Sequence, residues 1–270
     1  MISLNGKILS NEHATVSPLA PGLMFGAGVF TTVRVRAGRP DFLALHGERL
    51  RCDAAALALP PPALAGDLRE RCNAFLSATT LVGGAVKIMW FTDEGGQTVE
   101  VISARSQPYD AEARARGFRL RSMTCGSRAN RELSRHKTLN YLEHLRAKQV
   151  AVNAGFDEAL WIDERGLVLE GATTNLFAVI GDEVVTPDLR FGLLPGVARR
   201  VLLTSPTMAR VREAELTAKS LEDAREVFVT NSLMGVMPVR AIDDRIYSPA
   251  RNEVTRSLLA AFEREADASR

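Results

Sequence analysis

What this sequence has little of narrows its chemistry first. Its 270 residues include only three cysteines, Cys52, Cys72 and Cys125. They are far apart and odd in number, so they outline neither a disulfide framework nor a zinc site, and a reducing cytoplasm is the simplest setting. The four histidines show no metal-ligand spacing, and no metal is expected. Charge of one sign is not in excess: 34 basic residues stand against 32 acidic ones, for a net +2. The signs are mixed along the chain, with no basic stripe for nucleic acid and no acidic tail. No apolar run approaches the roughly 20 residues of a membrane helix. The opening Met1–Gly6 lacks the charged and apolar regions of a secretory signal. No internal repeat or low-complexity tract is visible. What remains is ordinary globular composition, 46% hydrophobic and 24% charged, long enough for one large domain or two modest ones.

Turn chemistry and periodicity then divide the chain. Ile2–Leu9 reads as two short strands joined at Asn5-Gly6, a turn in which both central residues need positive φ. A loop with Pro18 and Pro21 leads to Phe25–Val35, where the segment after the glycines alternates like a strand. Phe30, Thr32 and Arg34 then share one face, a candidate pocket wall or a half-exposed strand surface. Leu43–Leu57 is helical in pattern and puts His46 and Arg49 on one side. A second helix is expected over Pro61–Ala78, and strands at Ala85–Phe91 and Thr98–Ala104 through the turn Asp93-Glu94-Gly95-Gly96. The polar, proline-bearing stretch around Ser106–Glu112 is the best linker. The expected organisation is therefore a small domain over 1–107, a linker over 108–116 and a larger domain over 117–270.

In the second half, a strand opens at Gly117–Arg121. Thr138 is expected to cap a helix running to about Asn153, with Leu139, Leu142, Leu145 and Val152 near one face and Gly155 as its stop. Strands follow at Glu158–Ile162 and Leu167–Glu170, then a hairpin from Phe177–Ile180 and Val184–Val185. Gly192–Arg200 enters a helix through Pro195-Gly196. Arg210–Leu216 alternates like a strand, Ser220 caps a short helix to Ala224, and Val227–Thr230 is a buried strand. An amphipathic helix from about Ala250 ends the chain. Strands and helices mix without regular βαβ alternation, which favours an α+β fold over a doubly wound sheet.

Two stretches carry the chemistry. Arg135-His136-Lys137-Thr138-Leu139-Asn140-Tyr141 places a lysine just before a helix. Glu170-Gly171-Ala172-Thr173-Thr174-Asn175 places a carboxylate at a strand end among small and hydroxyl residues. A lysine and a carboxylate suit an aldehyde cofactor with a basic ring nitrogen, because the amine can condense with the aldehyde and the carboxylate can keep the ring protonated. Taken alone, either residue reads as a surface charge. The Gly196-Val197-Ala198 turn offers free N–H groups and a helix dipole to a phosphate. Arg199 and Arg200 add positive field there.

Together these stretches resemble the class IV aminotransferase family, the fold type IV pyridoxal-phosphate enzymes. That family includes branched-chain and D-amino-acid aminotransferases and aminodeoxychorismate lyases. The matches run in the family's order from Phe25 to Val239. The resemblance implies a two-domain α+β fold, with a small N-terminal domain, a larger domain with a β-barrel-like mixed core and the cofactor at the domain interface. It implies pyridoxal 5'-phosphate as cofactor and Lys137 as both the amine that bonds it and the base. It implies Glu170 as the partner of the ring nitrogen and Arg49, in His46-Gly47-Glu48-Arg49-Leu50, as the phosphate arginine. Val197 and Ala198 then give backbone phosphate contacts, Ser232 a hydroxyl, Tyr141 a contact to the phenolic oxygen, and Asn175 a hold on the ring or its neighbours. Arg34 and Lys87 could receive a substrate carboxylate, beside Phe30 and Thr32.

Phe30–Val35 and Thr230–Val239 look most like aminodeoxychorismate lyases, which release pyruvate and leave 4-aminobenzoate for folate synthesis. Lys137–Leu142 is shared with aminotransferases. The arginine- and glycine-rich run many lyases carry after the strand at Ala85–Phe91 is replaced by Thr92-Asp93-Glu94-Gly95-Gly96. A branched-chain or D-amino-acid aminotransferase therefore stays open, as does a cofactor-binding relative without turnover. The family also implies a homodimer acting on a small amino substrate, with no nucleic acid or membrane partner.

Overall fold

The computed structural model describes residues 1–128, 131–205, 211–247 and 252–270. The chain divides into two compact units. The first holds Met1–Pro108, His136–Asn140 and Ala266–Arg270; the second holds Tyr109–Arg135 and Tyr141–Glu265. The division therefore departs from 1–107 and 117–270 at two places. The segment bearing Lys137 and the last five residues belong with the first unit. Backbone pairing explains the former: Phe30 N–H donates to Lys137 O at 2.8 Å and Leu139 N–H to Gly28 O at 2.9 Å, forming a bridge at Val29 and Thr138. The expected linker is also partly helical. Asp110 accepts from Ala113 N–H and caps a short helix, Ala111–Arg116, ended by Gly117.

The first unit is an antiparallel sheet with two helices on one face. Its strands run in the order Lys7–Leu9, Ile2–Leu4, Thr98–Arg105, Gly84–Thr92, Gly28–Arg36 and Arg39–Pro40. Alternation decides which side chains meet the helices. Val33 and Val35 join Val86, Ile88 and Ile102 under Leu43, Leu50 and Ala54 of the Leu43–Ala56 helix and Phe75 and Leu76 of the Leu68–Thr79 helix. Phe30, Thr32 and Arg34 take the opposite parity on the same strand. The second helix begins at Leu68 and not at Pro61. Pro60, Pro61 and Pro62 cannot supply helix-interior N–H groups, Gly66 takes φ +71°, and Asp67 with Glu70 closes a capping box.

The second unit is built on a closed ring of strands. Phe118–Cys125 pairs in parallel with Glu158–Asp163 and with Gly235–Ile242. Gly235–Ile242 pairs with Glu226–Asn231, which pairs with Asn175–Ile180. Val168–Gly171 joins Asn175–Ile180 to Glu158–Asp163 and closes the barrel. Leu120, Leu160, Leu176, Val229 and Met237 lie in the core cluster of these strands. Glu183–Pro187 and Val211–Ala214 extend the sheet. Arg210 and Ala250, expected starts of a strand and a helix, lie outside the described residues; the last helix runs Glu253–Ala268.

Three local expectations in this half are corrected. The helix after Lys137 starts at Leu142, with Tyr141 and no side chain in the capping place. Thr138 is instead held by the backbone bridge just described, so it cannot cap. The larger apolar residues expected near one face of this helix are not its buried ones: Ala147 and Ala151 are buried, while Leu142 is 68% exposed and Leu145 57% exposed. Ser220 does not cap the short helix it opens. Lys219 holds that place, and the Ser220 hydroxyl pairs with Thr217 Oγ1 at 2.9 Å.

Candidate active site

In the first unit, Lys137 sits where an extended segment is pinned to the strand Gly28–Arg36. Its ammonium lies 4.6 Å from the centre of the Phe30 ring, and the Lys87 ammonium lies 4.4 Å from the same ring. Both contacts are in cation–π range. Lys87 stands opposite Thr32 on the neighbouring strand. Burial, aided by the charge of Arg105, pulls its pKa below the ordinary lysine value.

Arg49 comes from the Leu43–Ala56 helix. Its Nη2 donates to Thr31 Oγ1 at 2.9 Å, and Thr31 Oγ1 stands 2.6 Å from His46 Nδ1. His46 is fully buried, and burial, then the charges of Arg49 and Lys137, holds its pKa well below the usual histidine value. A neutral imidazole can accept, so the Thr31 hydroxyl accepts from Arg49 and donates to His46. The His-x-x-Arg spacing thus places a neutral ring behind two cations. Arg34 has an internal partner: its Nε donates to Asp41 Oδ2 at 2.7 Å, and Arg36 holds the same carboxylate at 2.9 Å. Its guanidinium already serves a carboxylate of this chain, which leaves Lys87 as the better candidate for a substrate carboxylate. Thr32 is half-buried beside it.

In the second unit, Glu170 ends the strand Val168–Gly171 and is buried. Leu194 N–H donates to its Oε2 at 3.2 Å, and Asn175 Nδ2 lies 3.3 Å from the same oxygen. Arg128 Nη1 lies 3.5 Å from Oε1. A carboxylate ringed by donors is an acceptor site, as a protonated ring nitrogen requires. Register explains the grouping. Glu170 is opposite Asn175, and Asn175 is opposite Thr230, so the three side chains form a row across adjacent strands. Within that row Thr230 Oγ1 is buried and has no hydrogen-bond partner among the described residues.

The Val197–Thr204 helix opens behind Leu194. Gly196 is its N-cap, and no side chain caps it. The N–H groups of Val197 and Ala198 therefore belong to the unsatisfied first turn. A Cβ at Gly196 would collide with Asn175 Oδ1, so glycine here lets Asn175 reach both Glu170 and Leu194 O, the latter at 2.9 Å. Ser232 lies in the turn after Glu226–Asn231, shaped by Asn231 Oδ1 accepting from Leu233 and Met234 N–H at 3.0 and 2.9 Å. Tyr141 stacks on His144 with ring centres 4.6 Å apart, and its hydroxyl donates to Ala172 O at 3.3 Å.

The expected site residues thus fall into two sets, Arg49, Phe30, Thr32, Arg34, Lys87 and Lys137 in one unit and Tyr141, Glu170, Asn175, Val197, Ala198 and Ser232 in the other. Sequence reading missed Arg128, Thr31, Asp53, His136 and His144. Arg128 is buried over the Trp161 ring at 4.7 Å, in an irregular loop where periodicity gives no signal. Gly192 marks its place in retrospect: with φ +81°, it packs on the Arg128 carbonyl where a Cβ would collide. Among the described residues no group of three His, Cys, Asp or Glu could hold a metal ion. By chemistry each set fits part of what pyridoxal phosphate needs: a lysine and a braced arginine in the first unit, and in the second uncapped helix amides, a buried carboxylate with donors beside it and a buried hydroxyl without a hydrogen-bond partner among the described residues.

The family model for amino-transferase class IV matches residues 28–242. A putative branched-chain-amino-acid aminotransferase of Methanocaldococcus jannaschii is 29% identical over 97% of this chain and 94% of its own length. The aminodeoxychorismate lyase of Bacillus subtilis is 26% identical over 98% and 94%. The solved structure of a hypothetical aminotransferase from Mycobacterium tuberculosis, in its PLP-bound form, superimposes with a TM-score of 0.89 at 19% identity, covering 100% of both chains. The chain is therefore an enzyme of the class IV amino-transferase family, with that family's type IV fold.

Proposed function

We propose that this chain is a pyridoxal-phosphate enzyme acting as a 4-amino-4-deoxychorismate lyase. The observation that carries the cofactor reading is Glu170: a buried carboxylate with donors on Oε2 and the Arg128 guanidinium beside Oε1, on the same strand row as a buried hydroxyl without a hydrogen-bond partner among the described residues. When bound, the cofactor supplies an electron sink for the charge left at the substrate carbon. Lys137 carries the amine that bonds it and moves protons at Nζ. Glu170 holds the charge of the ring nitrogen, Asn175 holds Glu170, and Arg49, the Val197 and Ala198 amides and Ser232 hold the phosphate. Lys87, desolvated and beside Phe30, receives a substrate carboxylate.

In the lyase reaction Lys137 Nζ takes the proton from the ring carbon bearing the amine. It then returns a proton to the methylene of the enolpyruvyl group, the ether bond breaks, pyruvate leaves, and the ring becomes 4-aminobenzoate. The look of Phe30–Val35 and Thr230–Val239 and the likeness to the Bacillus lyase support this. The second reading, a branched-chain or D-amino-acid aminotransferase, is favoured by Lys137–Leu142 and by the Methanocaldococcus relative; pocket shape decides between them, not the catalytic pair. The presence of Lys137 and Glu170 argues against a non-catalytic binder. The exposed side chains of Leu23, Met24 and Phe25, and those of Leu142 and Leu145, support a homodimer. Three unpaired cysteines support a cytoplasmic setting.

The test gives the purified, cofactor-loaded enzyme 4-amino-4-deoxychorismate and follows pyruvate, then gives it L- and D-amino donors with a keto acid and follows transfer. The lyase reading expects pyruvate without any amino acceptor. Keto-acid formation from a donor with no pyruvate from aminodeoxychorismate makes it an aminotransferase.

A further inference from the structure

Asp53 lies one turn beyond Arg49 on the Leu43–Ala56 helix and is 2% exposed. Its helix neighbours Leu50 and Ala54 are core residues. A carboxylate there is costly unless its oxygens are met. They are met by the lysine segment. Oδ1 stands 2.9 Å from His136 Nδ1, and Oδ2 accepts the Lys137 peptide N–H at 3.2 Å. Oδ2 also lies 4.0 Å from Arg49 Nε. A carboxylate can only accept, so His136 Nδ1 carries the proton.

The Lys137 peptide is thereby held from both sides. Its N–H goes to Asp53, and its carbonyl accepts Phe30 N–H at 2.8 Å. The same Asp53 carboxylate attracts Arg49, which Thr31 braces from another direction. A long lysine side chain reaches a defined point only if its root is fixed, and small displacements of a reacting group are costly.

We propose that Asp53, acting with His136, is the positioning residue that fixes Lys137 relative to Arg49. This rests on the reading of Lys137 and Arg49 as cofactor residues. Asp53 acts through its protein contacts: it sets where the amine starts and how the phosphate arginine is oriented.

The experiment measures pyridoxal-phosphate affinity, and the visible circular dichroism per bound cofactor, for the wild type, Asp53→Asn, His136→Gln and the double variant. Asparagine keeps the shape but offers one acceptor where two donors converge. The expected result for Asp53→Asn is about tenfold weaker affinity and loss of at least half the visible dichroism, with far-ultraviolet dichroism unchanged. His136→Gln shows a smaller loss, and the double variant is no worse than Asp53→Asn, because both act through one contact. Wild-type affinity and wild-type visible dichroism in Asp53→Asn overturn the proposal. Should Asp53→Asn not fold, His136→Gln decides in the same way. A wild type that binds no cofactor fails the underlying reading instead, and the proposal falls with it. A wild type that binds while the variants match it fails the positioning role alone.

Discussion

The lysine set, in the first unit, and the carboxylate set, in the second, are held by different means. Around Lys137 and Arg49 side chains do much of the holding: Thr31 bridges His46 and Arg49, and Asp53 meets Arg49, His136 and the Lys137 N–H, beside the backbone pairing of Lys137 with Phe30. Around Glu170 a larger share falls to the backbone: the Leu194 amide, the row of cross-strand partners and the open turn at Gly196. Side-chain networks fail when one member is removed and leaves another unpaired. Backbone cradles fail when a Cβ or a shift in register closes them. The two sides should therefore break differently.

The largest effect expected is at the chemical groups. Lys137→Ala lowers turnover by at least about a thousandfold and removes the cofactor's visible band. Glu170→Gln lowers turnover by roughly a hundredfold or more while cofactor is retained. Turnover measured alongside cofactor content separates them, and equal loss of cofactor in both would erase the contrast. Next comes the cradle. Gly196→Ala pushes Asn175 from its place and weakens cofactor binding, with a stability loss of about 1–3 kcal/mol, read by thermal melting with and without pyridoxal phosphate. An unchanged Gly196→Ala protein would mean that the turn yields freely.

The smallest effect is a pair of opposite pH dependences. His46 has a folded pKa below its ordinary 6.5, so its contribution is full above that value and is lost as pH falls through the lowered one. Glu158, in the second unit, goes the other way. Burial raises it above its ordinary 4.5 against the pull of Lys148 and Thr173, so its contribution is full below 4.5 and is lost as pH rises through the raised value. Melting temperature against pH should lose its fall on the acid side of 6.5 in His46→Gln, and its fall just above 4.5 in Glu158→Gln. A profile unchanged in either variant removes that residue from the account.

What could be read from sequence follows the same division. The placing of Arg49 beside His46 was legible because His46-Gly47-Glu48-Arg49-Leu50 is a local string on one side of a helix, and the Gly196 turn because turns announce themselves. The Asn5-Gly6 hairpin and the alternation of Phe30, Thr32 and Arg34 are local patterns of the same kind. Asp53 was not legible: on a helix it reads as a solvated charge, and its partners arrive from residues 136 and 137 through the path of the chain. Thr138 was misread for the same reason, since it pairs through its backbone with Val29, and no periodicity encodes that. Leu142 and Leu145 carry a helical apolar pattern, yet the barrel takes the small Ala147 and Ala151. Close packing of helix on strand favours small side chains, a choice made by the tertiary neighbour and not by the segment.

The central claim is that Lys137 is the amine that bonds pyridoxal phosphate. Borohydride reduction of the cofactor-loaded protein, followed by peptide mass mapping, tests it most directly, because Lys87 lies on the same Phe30 ring and offers a rival amine. The account predicts the phosphopyridoxyl label on Lys137 and none on Lys87. A label on Lys87, or no label with excess cofactor present, would contradict it.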